Sequence, residues 1–209
     1  MKIIGLTGSI GMGKSTLAAM IERLNIPVFD ADKAVHILQG KGGAAVKSIA
    51  DLWPKAIFDG AVDRASLSAI VQKDPAALNQ LEAIIHPMVR DMRQQFLKKH
   101  ALRHCPMVVL DIPLLFETGY DAFCDFSLTV YCSDAIQEHR VLSRPNMTFE
   151  KLTFIRSKQV AVADKVARSD FVINTDQGKR SALEQLKKII KQIKQDTLTR
   201  RDMRMGYWD

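Results

Sequence analysis

The sequence predicts an α/β protein built on a parallel sheet with helices on both faces. Three observations carry that expectation. Short apolar runs recur along the chain, and most of them close on an Asp or Asn: Asn25–Asp30, Met107–Asp111 and Asp170–Asn174. Segments of helical period fill the intervals, the alternation that builds βαβ units. The first interval opens on Gly8-Ser-Ile-Gly-Met-Gly-Lys-Ser-Thr16, which matches G-x-x-x-x-G-K-[ST] at Gly8, Gly13, Lys14 and Ser15.

Each element follows in order. Lys2-Ile-Ile-Gly-Leu-Thr7 reads as a buried parallel strand, and Leu17, Met20, Ile21 and Leu24 fall at helical spacing behind the glycine-rich stretch. Strand, loop and helix in that order make an anion site. Glycines let consecutive backbone N–H groups turn inward, and the helix adds its positive end. Lys14 can then reach the β- and γ-phosphates of a nucleoside triphosphate, and the Ser15 hydroxyl can hold Mg²⁺.

Asn25–Asp30 is a turn and a second short strand, ending in Asp30-Ala-Asp32. Open α/β sheets bind ligands at the carboxyl ends of their strands, so these acids lie on the phosphate side. One of them can also cap the helix expected near Lys33. From 33 to about 101 the pattern is helical and never clearly strand-like, with breaks at Gly40–Gly43 and Asp59-Gly60. Asp63 and Asp74-Pro75 look like helix starts, and His86-Pro87 interrupts a long apolar stripe running from Leu78 to Phe96. A parallel crossover needs only a dozen or so residues, so this stretch reads as an inserted helical lobe for a second substrate.

Met107–Asp111 is the third strand, and an apolar run closing in Asp after a phosphate loop is the Walker-B pattern, whose carboxylate assists Mg²⁺. Pro113-Leu-Leu-Phe-Glu117 follows, either core or the wall of an apolar substrate site. Phe126–Tyr131 is the fourth strand, and Ser133 or Asp134 caps the next helix. Arg140 and Arg144, four apart, are read on one face of that helix. Thr148 opens another helix carrying Arg156 and Gln159. Such arginines fit either a lid that closes on phosphates or a solvated basic face. Asp170–Asn174 is the fifth strand. The last helix starts near Ser181 and carries a stripe of Leu183, Leu186, Ile189, Ile190 and Ile193.

The chain of 209 residues carries a net charge of +7. Nine Lys or Arg against four Asp or Glu lie between Lys179 and Asp209, so most of the excess sits on the last helix and tail. No nucleic-acid motif accompanies it, and a solvated face is expected rather than a nucleic-acid partner. Cys105, Cys124 and Cys132 form no C-x-x-C pair and suit a reducing compartment. With no signal peptide and no membrane-length apolar run, a soluble cytoplasmic protein is expected. No N-K-x-D or D-x-x-G motif supports a GTPase switch, and the chain is short for a motor ATPase. A small-molecule kinase has candidates for all its parts. A nucleic-acid-stimulated ATPase rests on the basic tail alone.

Several stretches, taken together, resemble the dephospho-coenzyme A kinase family. They are Gly5–Thr16, Asp30-Ala-Asp32, Leu81-Glu-x-x-Ile-His-Pro87, Asp111-Ile-Pro-Leu-Leu-Phe-Glu117, Gln137-x-x-Arg140-x-x-x-Arg144, Gln159, Lys165 and Ser169–Ile173. The resemblance covers roughly residues 2 to 195, and His86-Pro87 with Asp111–Glu117 are its discriminating parts.

It implies a P-loop NTPase of nucleotide-kinase type: a three-layer fold with a five-stranded parallel sheet, a helical acceptor domain and a lid. The nucleotide core would span about 1–32, 102–139 and 168–196. The acceptor lobe would span about 33–101, the lid about 140–167, and 197–209 would be a disordered basic tail. The implied reaction is ATP-dependent phosphorylation of the ribose 3′-hydroxyl of dephospho-coenzyme A. By position, Gly8, Gly11, Met12, Gly13, Lys14, Ser15 and Thr16 would bind ATP, with Arg140 and Arg144 closing on the phosphates. Lys14 and Arg140 would act catalytically, and Asp32 would be the base. Pro113, Leu114, Leu115, Phe116 and Glu117 would line the acceptor site, and Ser15 and Asp111 would serve Mg²⁺. His86 would contact the acceptor or fasten the helix bend.

Three departures stand out. Ser9 replaces a frequent Gly, at a variable position. Ile155 stands where an arginine is common, leaving Arg156 one step away without an expected catalytic role. Asn174-Thr175 replaces a frequent Asp-Asn, so no adenine contacts are expected there.

Overall fold

A computed structural model describes residues 1–195; the basic tail beyond Asp196 lies outside the described residues. Two compact units share the chain, residues 29–103 forming one and residues 1–28 with the chain after 103 forming the other.

β1 (Lys2–Thr7) is buried from Ile4 onward, as a fully apolar run between neighbouring strands must be. After the glycine-rich loop, α1 (Lys14–Arg23) starts at Gly13 and buries Leu17 and Ile21. β2 (Val28–Asp30) then leads out of the first unit.

In the second unit Asp30 caps α2 (Ala31–Gln39), its carboxylate accepting from the Lys33 N–H at 2.9 Å. Asp32 is left in the exposed first turn of that helix. α3 (Ala45–Leu52) follows. The reading of 33–101 as wholly helical needs one correction. β3 (Ile57–Phe58) and β4 (Ala61–Val62) pair antiparallel around Asp59-Gly60, whose φ angles of 46° and 73° make a tight hairpin turn. Two-residue strands are too short to show alternation in sequence.

α4 (Arg64–Val71) is capped by Asp63. α5 (Pro75–Leu102) is capped by Asp74 with Pro75 in its first turn, as the sequence predicts. α5 runs through His86-Pro87 without a break, although the proline ring removes the N–H that the Ala83 carbonyl would accept. The unit's core gathers Leu38, Ala45, Ile49, Val62, Leu67 and Ile85.

Back in the first unit, β5 (Met107–Asp111) is buried at every position. β6 (Phe126–Tyr131), α6 (Asp134–Leu142), α7 (Phe149–Ser157), α8 (Val162–Arg168), β7 (Phe171–Asn174) and α9 (Gly178–Gln195) complete it. Asp170 stops short of β7 because its carboxylate is committed to β6, accepting from the Ser127 N–H at 2.7 Å and hydroxyl at 2.9 Å. α9 begins at Gly178, one turn before the expected Ser181, and buries Ala182, Leu186, Ile189 and Ile193.

The five-stranded sheet has the order β2-β5-β1-β6-β7, with β1 paired in parallel to both β5 and β6. The first strand is therefore the middle strand, and the chain's winding reverses there. Ile4, Leu6, Val109, Leu128 and Ile173 from the strands meet Leu17, Ile21, Leu186 and Ile189 from α1 and α9. No helix among the described residues is long and apolar enough to cross a membrane.

The Asp30 cap is a local bond that α2 needs. Asp30→Ala should lower stability by about 1 kcal/mol, the usual worth of such a cap. Denaturant unfolding followed by circular dichroism checks this, and Asp32→Ala should change stability by less.

Candidate functional site

The glycine-rich loop leaves the carboxyl end of β1, where a sheet whose winding reverses opens its crevice. Gly8 is held by close approach, since a Cβ there would lie 2.8 Å from the Val130 carbonyl oxygen. Gly11 is held twice, by a φ of 78° and by Val141 Cγ2, which a Cβ would meet at 2.5 Å. Met12 belongs to the core and offers a ligand only its backbone. Its side chain is fully buried, its Sδ accepting from the Cys132 N–H at 3.1 Å and lying 3.4 Å from the thiol. Burial pushes the Cys132 thiol up against the opposing charge of Arg140, so it stays a neutral packing group.

Three side chains brace the loop from outside. Gln137 Nε2 donates to the Ile10 carbonyl at 2.7 Å. The Thr175 hydroxyl donates to the Met12 carbonyl at 3.0 Å. Arg140 grips Thr175, Nη1 donating to its hydroxyl oxygen at 2.9 Å and Nη2 to its carbonyl at 3.0 Å, and reaches the Gly11 carbonyl at 3.5 Å. Thr175, set aside in the sequence reading, is thus the post that holds both the loop and the arginine.

Lys14 and Asp111 are brought together, Nζ donating to Oδ1 at 2.6 Å. The carboxylate is 3% exposed and the lysine side chain 14%, so a screened surface pair is the wrong comparison. Ser15 and Thr16 lie exposed in the first turn of α1. Beside them opens a cleft of about 100 Å³, its walls including Gly13, Thr16, Leu17, Arg140, Thr175 and Gly178.

Other expected site residues separate. α6 ends at Leu142, so Arg144 is not on the Arg140 face of one helix; it lies exposed in the turn before Pro145. Leu115 and Phe116 do not line an open wall. Leu115 is fully buried under Gly5, and Phe116 is 4% exposed with the Arg168 guanidinium 4.5 Å from its ring centroid. Only Pro113 and Leu114 of that apolar run reach the surface, and the Pro113 carbonyl accepts from the Thr7 hydroxyl at 2.9 Å.

Glu117 turns inward. Its Oε1 accepts from the Val160 N–H at 2.8 Å and lies 2.8 Å from Nζ of Lys165, a lysine with 0% exposure. Burial raises the Glu117 carboxyl, but the Lys165 ammonium and the Val160 N–H outweigh it and hold the group below its ordinary value. On the second unit, His86 is exposed on α5 and Asp32 exposed on α2.

Sequence reasoning missed the work of Gln137, Thr175 and Lys165. A polar residue at a core-facing helix position was the available signal, and both Gln137 and Lys165 carry it.

Comparison with known proteins places these residues in context. The CoaE family model, described as dephospho-CoA kinase, matches residues 2–181. A dephospho-CoA kinase of Paramagnetospirillum magneticum is 50% identical over 165 residues, 79% of this chain and 78% of the relative. One from a Jannaschia species is 50% identical over 173 residues, 83% of this chain and 88% of the relative. A crystal structure of a Thermus thermophilus protein superposes with a TM-score of 0.80 at 32% identity, covering 91% of this chain and 96% of that one.

The Glu117–Lys165 pair sets an acid limit. A carboxylate whose folded pKa is depressed adds stability above its unfolded value, and loses that contribution as pH falls through the folded value. The folded value lies below 4.5, so part of the protein's stability should vanish below that pH. Glu117→Gln should flatten that limb while lowering stability at neutral pH, because Lys165 stays buried. Thermal melts between pH 3 and 7 check it.

Proposed function

Because the chain belongs to the dephospho-coenzyme A kinase family, we propose that it moves the γ-phosphoryl group of ATP to the ribose 3′-hydroxyl of dephospho-coenzyme A. The products are coenzyme A and ADP, and the reaction is the last step of coenzyme A biosynthesis. One observation carries the reading: a braced phosphate loop at the end of the central strand, with the Lys14–Asp111 pair beside it. The same reading puts the enzyme in the cytoplasm, acting on small molecules.

The chemistry asks mainly for positioning and positive charge, because the transition state of phosphoryl transfer is loose and its charge spreads over the equatorial oxygens. Loop amides from Gly8 to Thr16 receive the phosphates. Lys14 exchanges Asp111 for the β- and γ-phosphate oxygens. The nucleoside lies in the cleft between Leu17 and Gly178, with its phosphates toward Gly13. Arg140, already clamped on Thr175 beside Gly13, adds a fixed charge.

A hydroxyl and a carboxylate are hard oxygen donors of the kind Mg²⁺ takes in small number beside substrate phosphates. Ser15 and Asp111 fit that role, and no cluster of three or more His, Cys, Asp or Glu among the described residues offers a dedicated cage. Bound there, Mg²⁺ would neutralise phosphate charge. Asp32, relieved of capping by Asp30, orients the acceptor hydroxyl and takes its proton. Pro113 and Leu114 supply the acceptor-side apolar contacts, with His86 on the lobe. The segment 140–167 acts as the lid, with Arg144 at its exposed turn.

ADP release with ATP, Mg²⁺ and dephospho-coenzyme A tests this against shikimate, nucleosides and single-stranded DNA. Stimulation by DNA alone would reverse the reading. Lys14→Ala should abolish turnover, and should also lower the melting temperature because Asp111 loses that ammonium. Asp32→Asn should lower kcat by about 100-fold with ATP KM nearly unchanged. A near-normal kcat would remove Asp32 as base.

A further inference from the structure

Gln137 is 1% exposed on α6, and both ends of its amide are used. Nε2 donates to the Ile10 carbonyl in the phosphate loop at 2.7 Å. Oε1 accepts from Arg156 on α7, from Nε at 2.9 Å and from Nη2 as well. The guanidinium meets α6 at two further carboxylates, Nη1 donating to Glu138 at 3.1 Å and Nη2 lying 3.7 Å from Asp134. Arg156 is therefore committed to α6 in this structure and reaches the loop through Gln137.

The bond to Ile10 has a directional consequence. A trans peptide is planar, with its C=O and N–H pointing opposite ways. Fixing the Ile10 carbonyl toward α6 turns the Gly11 N–H away from α6. α6 is also pressed against this peptide, since a Cβ on Gly11 would meet Val141 Cγ2 at 2.5 Å and the Gln137 carbonyl at 3.3 Å. The side-chain amide thus selects one orientation for a peptide that must present its N–H to a phosphate.

We infer that Gln137 is a positioning residue for phosphoryl transfer, setting the Ile10–Gly11 peptide of the phosphate loop and coupling it to Arg156 on α7. The position of α7 is then transmitted to the loop through a single amide. Arg156 acts through Gln137, which gives it a role although it stands one step from the expected arginine. The inference rests on the kinase reading for its consequence in turnover, but the coupling itself is read in ATP affinity, which needs no acceptor.

The test compares Gln137→Met, Gln137→Glu, Arg156→Met and the double variant Gln137→Met with Arg156→Met. ATP affinity is measured by calorimetry, kcat and KM with dephospho-coenzyme A as acceptor, and melting by circular dichroism. Gln137→Met removes both bonds and should weaken ATP binding about tenfold, the scale of one well-made hydrogen bond on a pre-set group. Gln137→Glu keeps the acceptor for Arg156 and loses the donor to Ile10, so it should weaken ATP similarly. Arg156→Met should have a smaller effect, and the double variant should be no worse than Gln137→Met, since both residues act through one path. Multiplying effects, wild-type ATP affinity in Gln137→Glu, or variants that lose only melting temperature would each overturn the inference. A wild type that binds ATP tightly yet leaves dephospho-coenzyme A untouched would instead overturn the substrate assignment, with the affinity comparison still deciding this one.

Discussion

An anion cradle made of backbone N–H groups can satisfy few of those groups from within, because most must be free when the phosphate arrives. Here the Met12 N–H donates to the Ser9 carbonyl at 3.2 Å, which by itself does little to hold the shape of the loop. The surrounding structure must therefore hold it by its carbonyls and side chains instead. Here the Ile10 carbonyl is held by Gln137, and Met12 by Thr175 on one side and Cys132 on the other, while the Val130 carbonyl leaves no room for a side chain at Gly8. These restraints come from β6 and the residue after it, from α6 and from the end of β7. Much of the first unit packs around this nine-residue stretch.

The same economy of charge applies to Lys14 and Asp111. Each would be costly to bury alone, and at 2.6 Å they neutralise one another; in the proposed reaction a phosphate would compete for the lysine. Glu117 and Lys165 make the opposite use of a buried pair. The lysine is fully buried, and the contact fastens the segment after β5 to α8. Burial of the cation distinguishes the two pairs, the Lys14 side chain being 14% exposed and that of Lys165 1%.

The sheet was legible because its inner strands β1, β5 and β6 are largely buried and its strands read as short apolar runs, with Asp30, Asp111 and Asn174 marking the carboxyl ends of three of them. The phosphate loop was legible because its spacing is dictated by local backbone geometry. What was not legible depends on long-range partners or on fine boundaries. An apolar run such as Leu114-Leu115-Phe116 does not say which members face inward, and only Leu114 faces out. The i,i+4 spacing of Arg140 and Arg144 counts as one face only if the helix lasts, and it ends two residues too soon. The bond from Gln137 to a backbone carbonyl 127 positions away leaves no trace in local pattern at all.

The placement of β1 bears on how this chain is made. It is the middle strand, yet its partners Met107 and Phe126 onward come far later in the sequence. During synthesis this central strand emerges before its neighbours, while the unit from Phe29 to Arg103, whose contacts are local, is expected to close its own core. The chain is thus expected to assemble the unit of residues 29–103 before the sheet unit, and pulse-labelling hydrogen exchange would show α5 amides protected ahead of those in β1. The chain's vulnerable interval in the cell is then the time between the appearance of its first strand and the arrival of β5.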